Sequence, residues 1–244
     1  MLNPDHLPII PTSVIDIGAQ GKRKNEDHNN HSSRKNYSGF PTEVCDLCYS
    51  FYLRDSKNIF DPFAGWGERH VKAIEYDKTY IGFDISKDSI DKAFSDYGVT
   101  NFNADSRVAD YPSYDGVLTC PPYWNLEKYS SDESLDRIKT WDKFLDTYDQ
   151  ILTRIYHEAA PLTTFCIQTG DWRKGGKYYD LVYETTRMFK RLGAETIDNV
   201  IISRKSVSKI KIMLPQAKRL GYSVRVHEVL MVFRKPESLP DWLR

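Results

Sequence analysis

Residues 61–67 read Asp-Pro-Phe-Ala-Gly-Trp-Gly and directly follow Asn58-Ile59-Phe60, a short apolar stretch that predicts a buried strand. A strand that ends in an acidic residue and runs into two glycines predicts a sharp turn at the edge of a sheet. Because Gly65 and Gly67 carry no side chain, the main chain there can approach a small ligand closely. A plain connection between a strand and a helix explains this segment equally well on its own.

Strand-like and helix-like stretches alternate around this turn. Further strands are predicted at 79–85, 100–103, 116–119, 162–168, 196–202 and 224–233, and helices at 42–53, 68–76, 87–97, 135–159 and 178–192. This alternation predicts an α/β protein with a doubly wound, mostly parallel seven-stranded sheet that carries helices on both faces. In such sheets ligands bind beyond the carboxyl ends of the strands.

Composition narrows the class of protein. The 244 residues suffice for one well-buried domain, and 34 basic residues balance 34 acidic ones, so net charge gives no argument for a nucleic-acid partner. Four scattered cysteines do not form a disulfide framework, and no stretch has the length of a membrane span or the order of a secretion signal. We therefore expect a cytoplasmic protein. No His or Cys cluster has metal-ligand spacing, so no metal is expected.

A second segment, residues 119–124, reads Thr-Cys-Pro-Pro-Tyr-Trp and follows the predicted strand at 116–119. Consecutive prolines restrict the main chain, so Pro121 and Pro122 hold nearby carbonyl groups in fixed directions. Tyr123 adds a flat aromatic face. Like the glycine turn, this diproline corner lies at the carboxyl end of a strand.

Taken in order, these segments resemble a known enzyme family. Phe40-Pro41, residues 61–67, the acidic end of 81–85 and Pro121-Pro122-Tyr123 are similar to the catalytic domain shared by the cytosine-N4 and adenine-N6 DNA methyltransferases. The resemblance covers about residues 40–235 and implies a Rossmann-like methyltransferase fold with S-adenosylmethionine as cofactor. It implies a cofactor site made of Phe40, Pro41, Thr42, Asp61, Phe63, Gly65, Gly67, Asp84 and Asp105. Within it, Asp84 would hold the ribose hydroxyls and Asp105 would read the adenine ring.

The same resemblance assigns catalysis to Cys120, Pro121, Pro122 and Tyr123. An exocyclic base amine is a poor nucleophile because its lone pair is delocalised, so fixed acceptors for its hydrogens promote methylation. The target base must leave the double-stranded DNA helix, and stacking on Tyr123 would offset part of that cost. Relatives carry Asp, Asn or Ser at position 120, and cysteine matches serine best in shape, which favours cytosine-N4 over adenine-N6. A covalent cytosine-C5 mechanism is disfavoured because its nucleophile follows a proline, whereas Cys120 precedes two.

Basic residues cluster between the last two predicted strands. From Ser203 to His227 there is no acidic residue. The candidate phosphate contacts are Arg204, Lys205, Lys209, Lys211, Lys218 and Arg219. Such a cluster predicts DNA binding that weakens steeply with salt.

The chain is therefore expected to comprise an N-terminal segment with a polar loop (1–39), a catalytic domain (40–235) with a basic insertion at 203–225, and a tail (236–244). Restriction-modification systems and solitary or phage-borne enzymes all contain such proteins. Two alternatives stay open: transfer of methyl groups to RNA or to a protein glutamine, and a catalytically silent nucleic-acid-binding module of the same fold.

Overall fold

The structure is a computed structural model that describes residues 9–17, 39–125, 134–204 and 207–238. The predicted polar loop at 18–38 and the candidate Lys205 lie outside these ranges, as does the side chain of Lys209.

An eight-stranded sheet forms the centre of the molecule. Its strands are β1 Val14–Asp16, β2 Asn58–Asp61, β3 Thr79–Asp84, β4 Phe102–Asn103, β5 Gly116–Thr119, β6 Thr164–Thr169, β9 Glu195–Ser203 and β10 His227–Arg234. A separate hairpin consists of β7 Trp172–Lys174 and β8 Lys177–Tyr179. The helices are α1 Thr42–Leu47, α2 Glu68–Glu75, α3 Lys87–Tyr97, α4 Trp141–Glu158, α5 Leu181–Arg191 and α6 Val207–Leu220, with a π-helical turn Cys48–Tyr52 and a 3₁₀ turn Leu135–Arg137.

The strand order confirms the doubly wound, mostly parallel class. The sheet runs β1-β9-β10-β6-β5-β2-β3-β4, and only β10 is antiparallel to its neighbours. The prediction of seven strands was one short, because β1 pairs in parallel with the end of β9 at the sheet edge. A three-residue strand is too short to show an alternating pattern in the sequence.

Alternating side chains on the strands build two cores, one on each face of the sheet. On β10, Met231 and Phe233 join the core beneath α4 and α5, whereas Leu230 and Val232 join the core beneath α1 and α2. Successive side chains of a strand point to opposite faces of the sheet, and helices cover both faces here. Residues on both faces of the central strands are therefore apolar.

Several helix boundaries differ from the sequence-based expectation. The helix expected from residue 135 begins at Trp141, because the side chain of Thr140 caps it by accepting from the Lys143 N–H at 3.3 Å. The helix expected over 42–53 is α-helical from Thr42 to Leu47 and continues as a π-helical turn from Cys48 to Tyr52. Tyr178, expected in a helix, belongs to β8.

A buried carboxylate ties the centre of the sheet together. Asp61, at the end of β2, is fully buried. Its oxygens accept hydrogen bonds from Arg69 Nε on α2 at 2.5 Å, from the hydroxyl of Tyr80 on β3 at 2.6 Å and from the hydroxyl of Thr119 on β5 at 2.5 Å. The N–H of Phe63 donates a fourth, at 3.0 Å. One side chain thus connects three strands and a helix.

We expect Tyr80→Phe to lower the free energy of unfolding by about 1.5–3 kcal/mol, since it removes one hydrogen bond to a buried charge while keeping the ring. Urea denaturation measures the change. Tyr183→Phe on α5 is the matched control, because that ring is 61% exposed. Equal stabilities for the two variants would contradict the role of Tyr80 in this network.

Candidate active site

A cleft lies at the carboxyl ends of β2, β3, β4 and β5 and encloses about 1090 Å³, part of it open to solvent. The ten sequence-predicted residues that line it are Phe40, Phe63, Gly65, Asp84, Asp105, Cys120, Pro121, Pro122, Tyr123 and Arg204. The glycine turn and the diproline corner therefore face one shared space, although about sixty residues separate them in the chain.

The two glycines of the turn have different surroundings. Gly65 has φ +57°, lines the cleft, and donates its N–H to Asp84 Oδ2 at 2.8 Å. Gly67 has φ +95°, and a Cβ there would lie 2.8 Å from Val99 Cγ2 and 3.0 Å from Ala93 Cβ. Gly67 is thus required for the packing of α3, whereas Gly65 forms part of the cleft wall.

Asp84 ends β3 with both oxygens pointing at main-chain donors. Oδ2 accepts from Gly65 N–H, and Oδ1 accepts from Ser86 N–H at 2.8 Å. Burial raises the pKa of Asp84 to about 6, although these two hydrogen bonds act in the opposite direction. Each oxygen keeps a lone pair for a ligand hydroxyl.

Asp105, beyond the end of β4, forms a close ion pair with Arg107. Arg107 Nη2 lies 2.6 Å from Asp105 Oδ2, and Arg107 Nε lies 2.9 Å from both carboxylate oxygens. Burial raises the pKa of Asp105, but its hydrogen bonds to Arg107 outweigh that effect and lower the pKa overall. Both side chains line the cleft, so they present a paired donor and acceptor there.

The diproline corner forms the opposite wall. Tyr123 lines the cleft yet is only 9% exposed, and its ring packs edge-on against Trp172 with centroids 5.6 Å apart. Burial raises the pKa of Tyr123 well above its ordinary value, so the phenol keeps its proton. Among the described residues, its hydroxyl has no hydrogen-bond partner.

Trp124 and Trp172 are both buried and absent from the cleft wall. Trp124 Nε1 donates to the Ile138 carbonyl at 2.7 Å. With Trp141 and Tyr179 they form an aromatic cluster behind the diproline corner. This cluster supports the corner from the core side.

Arg204 follows β9 directly and lies in the cleft wall beside Glu228. Arg204 Nη2 is 3.2 Å from Glu228 Oε2, which also accepts from Gln168 Nε2 at 2.6 Å. Within the described residues, Arg204 Nε and Gln168 Oε1 are buried without a partner. Polar atoms without a hydrogen-bond partner among the described residues therefore lie near Tyr123.

Other predicted site residues lie away from the cleft wall. Asp61 lies beneath it with its oxygens taken up by protein donors, and Pro41 and Thr42 belong to the start of α1. The candidate phosphate contacts Lys211, Lys218 and Arg219 are exposed on α6.

Sequence reasoning missed several lining residues, among them Trp66, Glu68, Arg69, Ser106, Arg107 and Glu228. Glu68 and Arg69 directly follow the glycine turn, and this adjacency was a usable signal. Glu228 comes from the far end of the chain and reaches the cleft only because β10 inserts between β6 and β9.

Among the described helices, none combines the length and apolarity that a membrane crossing requires. In the same part of the chain, no three His, Cys, Asp or Glu side chains are arranged to hold a metal ion.

Neither a comparison with protein-family models nor one with curated proteins gives a match. Solved structures do match. The N-methyltransferase NodS from Bradyrhizobium japonicum has 11% identity and a TM-score of 0.53, over 80% of this chain and 96% of that one. The magnesium protoporphyrin IX methyltransferase from Synechocystis with bound S-adenosylmethionine has 10% identity and a TM-score of 0.50, over 80% and 79%.

The [4+2]-cyclase SpnF has 14% identity and a TM-score of 0.56, over 81% of this chain and 82% of that one. The fold is thus the Rossmann-like fold of S-adenosylmethionine-dependent methyltransferases. Because a cyclase has this fold too, the fold alone does not fix the reaction.

The raised pKa of Asp84 predicts a pH effect on stability. The pKa of Asp84 is about 6 in the folded protein and 3.8 in the unfolded chain. Between these two pH values the folded protein therefore holds a proton on Asp84 that the unfolded chain has lost. The resulting stability is present below pH 4 and is lost as the pH rises through 6. Relative to Asp84→Asn, the wild-type free energy of unfolding should fall between pH 4 and pH 7 by up to about 3 kcal/mol, and by less where solvent screens the carboxylate. A pH-independent difference would contradict the assignment.

Proposed function

We propose that the protein is an S-adenosylmethionine-dependent methyltransferase that modifies the exocyclic amine of a base flipped out of double-stranded DNA, with cytosine-N4 as the favoured target. The observation that carries this proposal is the shared cleft. A glycine turn and a strand-end carboxylate line one side of it, and Cys120, Pro121, Pro122 and Tyr123 line the other.

The cofactor side of the cleft fits an adenosyl group. Neighbouring parallel strands lie about 4.8 Å apart, so the ends of β4, β3 and β2 present their side chains in a row. Asp105 and Arg107 at β4 suit the base, and the free lone pairs of Asp84 at β3 suit the ribose hydroxyls. The bound S-adenosylmethionine of the Synechocystis structure supports the same ligand here.

The acceptor side fits an amine that needs activation. When bound, S-adenosylmethionine supplies an electrophilic methyl group. The main-chain carbonyls of the diproline corner accept hydrogen bonds from the N–H groups of the amine, so the nitrogen lone pair turns toward the methyl group. Tyr123 offers its ring for stacking, worth roughly 1–3 kcal/mol per base. Alignment of the amine nitrogen with the methyl carbon supplies most of the rate enhancement.

The proposed contact with DNA depends on the position of α6. This helix joins the carboxyl end of β9 to the start of β10, so it emerges at the same sheet edge as the cleft. In the part of α6 whose side chains are described, Ala217 alone is buried, whereas Lys211, Lys218 and Arg219 are exposed. Exposed lysine and arginine side chains on this helix suit contacts to phosphates.

The direct test is to incubate the full chain with methyl-labelled S-adenosylmethionine and long unmodified DNA, and then to digest the DNA to nucleosides. We expect label in N4-methylcytosine. Label in N6-methyladenine would contradict the preferred base. RNA and a glutamine-containing peptide are run in parallel, and label in either but not in DNA would contradict the acceptor. Cofactor binding without transfer to any of them would identify a catalytically silent module.

Cys120 variants extend this test to the acceptor atom. Cys120→Ser keeps the shape and accepts hydrogen bonds more strongly, so its kcat should equal or exceed that of wild type. Cys120→Ala should lower kcat by roughly tenfold, the worth of one hydrogen bond of about 1–1.5 kcal/mol. Both variants should bind the cofactor as wild type does. An unchanged kcat in Cys120→Ala would exclude the side chain as an acceptor.

A further inference from the structure

Three polar side chains share one face of the sheet at the edge where the cleft opens. Cys120 directly follows β5, Gln168 lies near the end of β6, and Glu228 lies near the start of the antiparallel β10. Two positions away from them along the chain are core side chains of the face beneath α1 and α2, namely Leu118, Cys166 and Leu230. Because side chains alternate along a strand, the three polar side chains point to that same face.

The carboxylate of Glu228 reaches from β10 toward the diproline corner. Gln168 Nε2 donates to Glu228 Oε2 at 2.6 Å, and Arg204 Nη2 lies 3.2 Å from the same oxygen. Since β6 lies between β10 and β5, the contact with Gln168 displaces the carboxylate toward β5. Among the described residues none donates to Glu228 Oε1. The side chain lines the cleft and is 16% exposed, so this second oxygen is the one available to a group in the cleft.

The negative charge of Glu228 acts on the acceptor side of the cleft. Burial is the largest cause of the raised pKa of Tyr123, and the charge of Glu228 is the second. The diproline corner and Glu228 line the same cleft. The other carboxylates in the described part of the cleft wall come from segments at the ends of β2, β3 and β4, namely Glu68, Asp84 and Asp105. Glu228 is therefore the carboxylate on the β6 side of the diproline corner.

Methylation of an amine leaves a proton that the site must remove. The amine nitrogen forms a bond to the methyl carbon while the carbon–sulfur bond breaks and its electron pair stays on sulfur. The nitrogen then carries one hydrogen more than the neutral methylamino product. The main-chain carbonyls of the diproline corner accept hydrogen bonds but do not retain a proton, and the thiol of Cys120 is a weak acceptor. A carboxylate is the group in the cleft that suits this task.

We propose that Glu228 is a further catalytic residue, whose Oε1 accepts the proton that the amine nitrogen loses on methylation; this inference rests on the proposed function. Gln168 and Arg204 hold the carboxylate through Oε2 and leave Oε1 for the proton. A four-coordinate exocyclic nitrogen is strongly acidic, so even a carboxylate in an ion pair takes its proton. The carboxylate then releases the proton to solvent. The competing explanation is that Glu228 only neutralises Arg204 in the cleft wall.

Glu228→Gln keeps the size of the side chain but removes its ability to take a proton. We expect kcat for methyl transfer to long unmodified DNA to fall about 100-fold. The affinity for S-adenosylhomocysteine, measured by calorimetry, and the affinity for DNA, measured by fluorescence anisotropy, should stay as in wild type. Glu195→Gln makes the same substitution at the exposed first residue of β9, at the opposite edge of the sheet. This matched control should keep the wild-type kcat.

Glu228→Ala adds a readout that a purely structural role would not change. The shortened side chain leaves space for formate, a small carboxylate that can take the proton in its place. We expect added formate to raise kcat of Glu228→Ala about tenfold, a part of what a positioned base contributes. Formate should not change kcat of Glu228→Gln, whose side chain still fills the space.

An unchanged kcat in Glu228→Gln would overturn the proposal, as would a loss in Glu228→Ala that formate does not restore. A loss of cofactor or DNA affinity that accompanies the loss of kcat would indicate that Glu228 only neutralises Arg204, and this outcome contradicts the proposal too. Failure of the wild-type protein to transfer label to DNA is a distinct result, because it would refute the proposed function itself.

Discussion

The buried carboxylate of Asp61 is the interaction on which the site depends. It joins the ends of β2, β3 and β5 to α2 through hydrogen bonds from Tyr80, Thr119 and Arg69. A buried charge is tolerated only when its partners satisfy it, so the four donors and the carboxylate require one another. The same bonds hold the glycine turn after β2 next to the diproline corner after β5. Loss of this network would separate the two walls of the cleft.

The aromatic cluster behind the diproline corner has a complementary role. Trp172, Trp141 and Tyr179 pack against one another and against Tyr123 or Trp124, with ring centroids 5.0–5.9 Å apart. Such contacts restrict the side chains more than apolar burial alone does. The corner is thus fixed by prolines in the main chain and by aromatic rings at its back, which suits a site that must align two reacting atoms.

Much of this arrangement was predictable from the sequence because strand ends carry recognisable signals. Two segments predicted the walls of the cleft, namely the acidic, glycine-rich turn after β2 and the Pro-Pro-Tyr segment after β5. The alternation of strand-like and helix-like stretches predicted the sheet. The role of Asp61 was not predictable, since its donors Tyr80 and Thr119 come from two other strands. Gly67 was assigned to the ligand, but only the packing of α3 shows which side of the turn it faces. Glu228 was missed because it reaches the cleft only through the insertion of β10 between β6 and β9, whereas Glu68 directly follows the glycine turn and could have been included with it.

Binding geometry decides the central claim, namely that one cleft positions a sulfonium methyl group opposite the diproline corner. The most direct measurement is a crystal structure of the full chain with S-adenosylhomocysteine. We predict that the adenosine lies between Asp84 and Asp105 and that the sulfur points toward Cys120 and Pro121. A ligand bound outside this cleft, or one whose sulfur points away from the corner, would contradict the account.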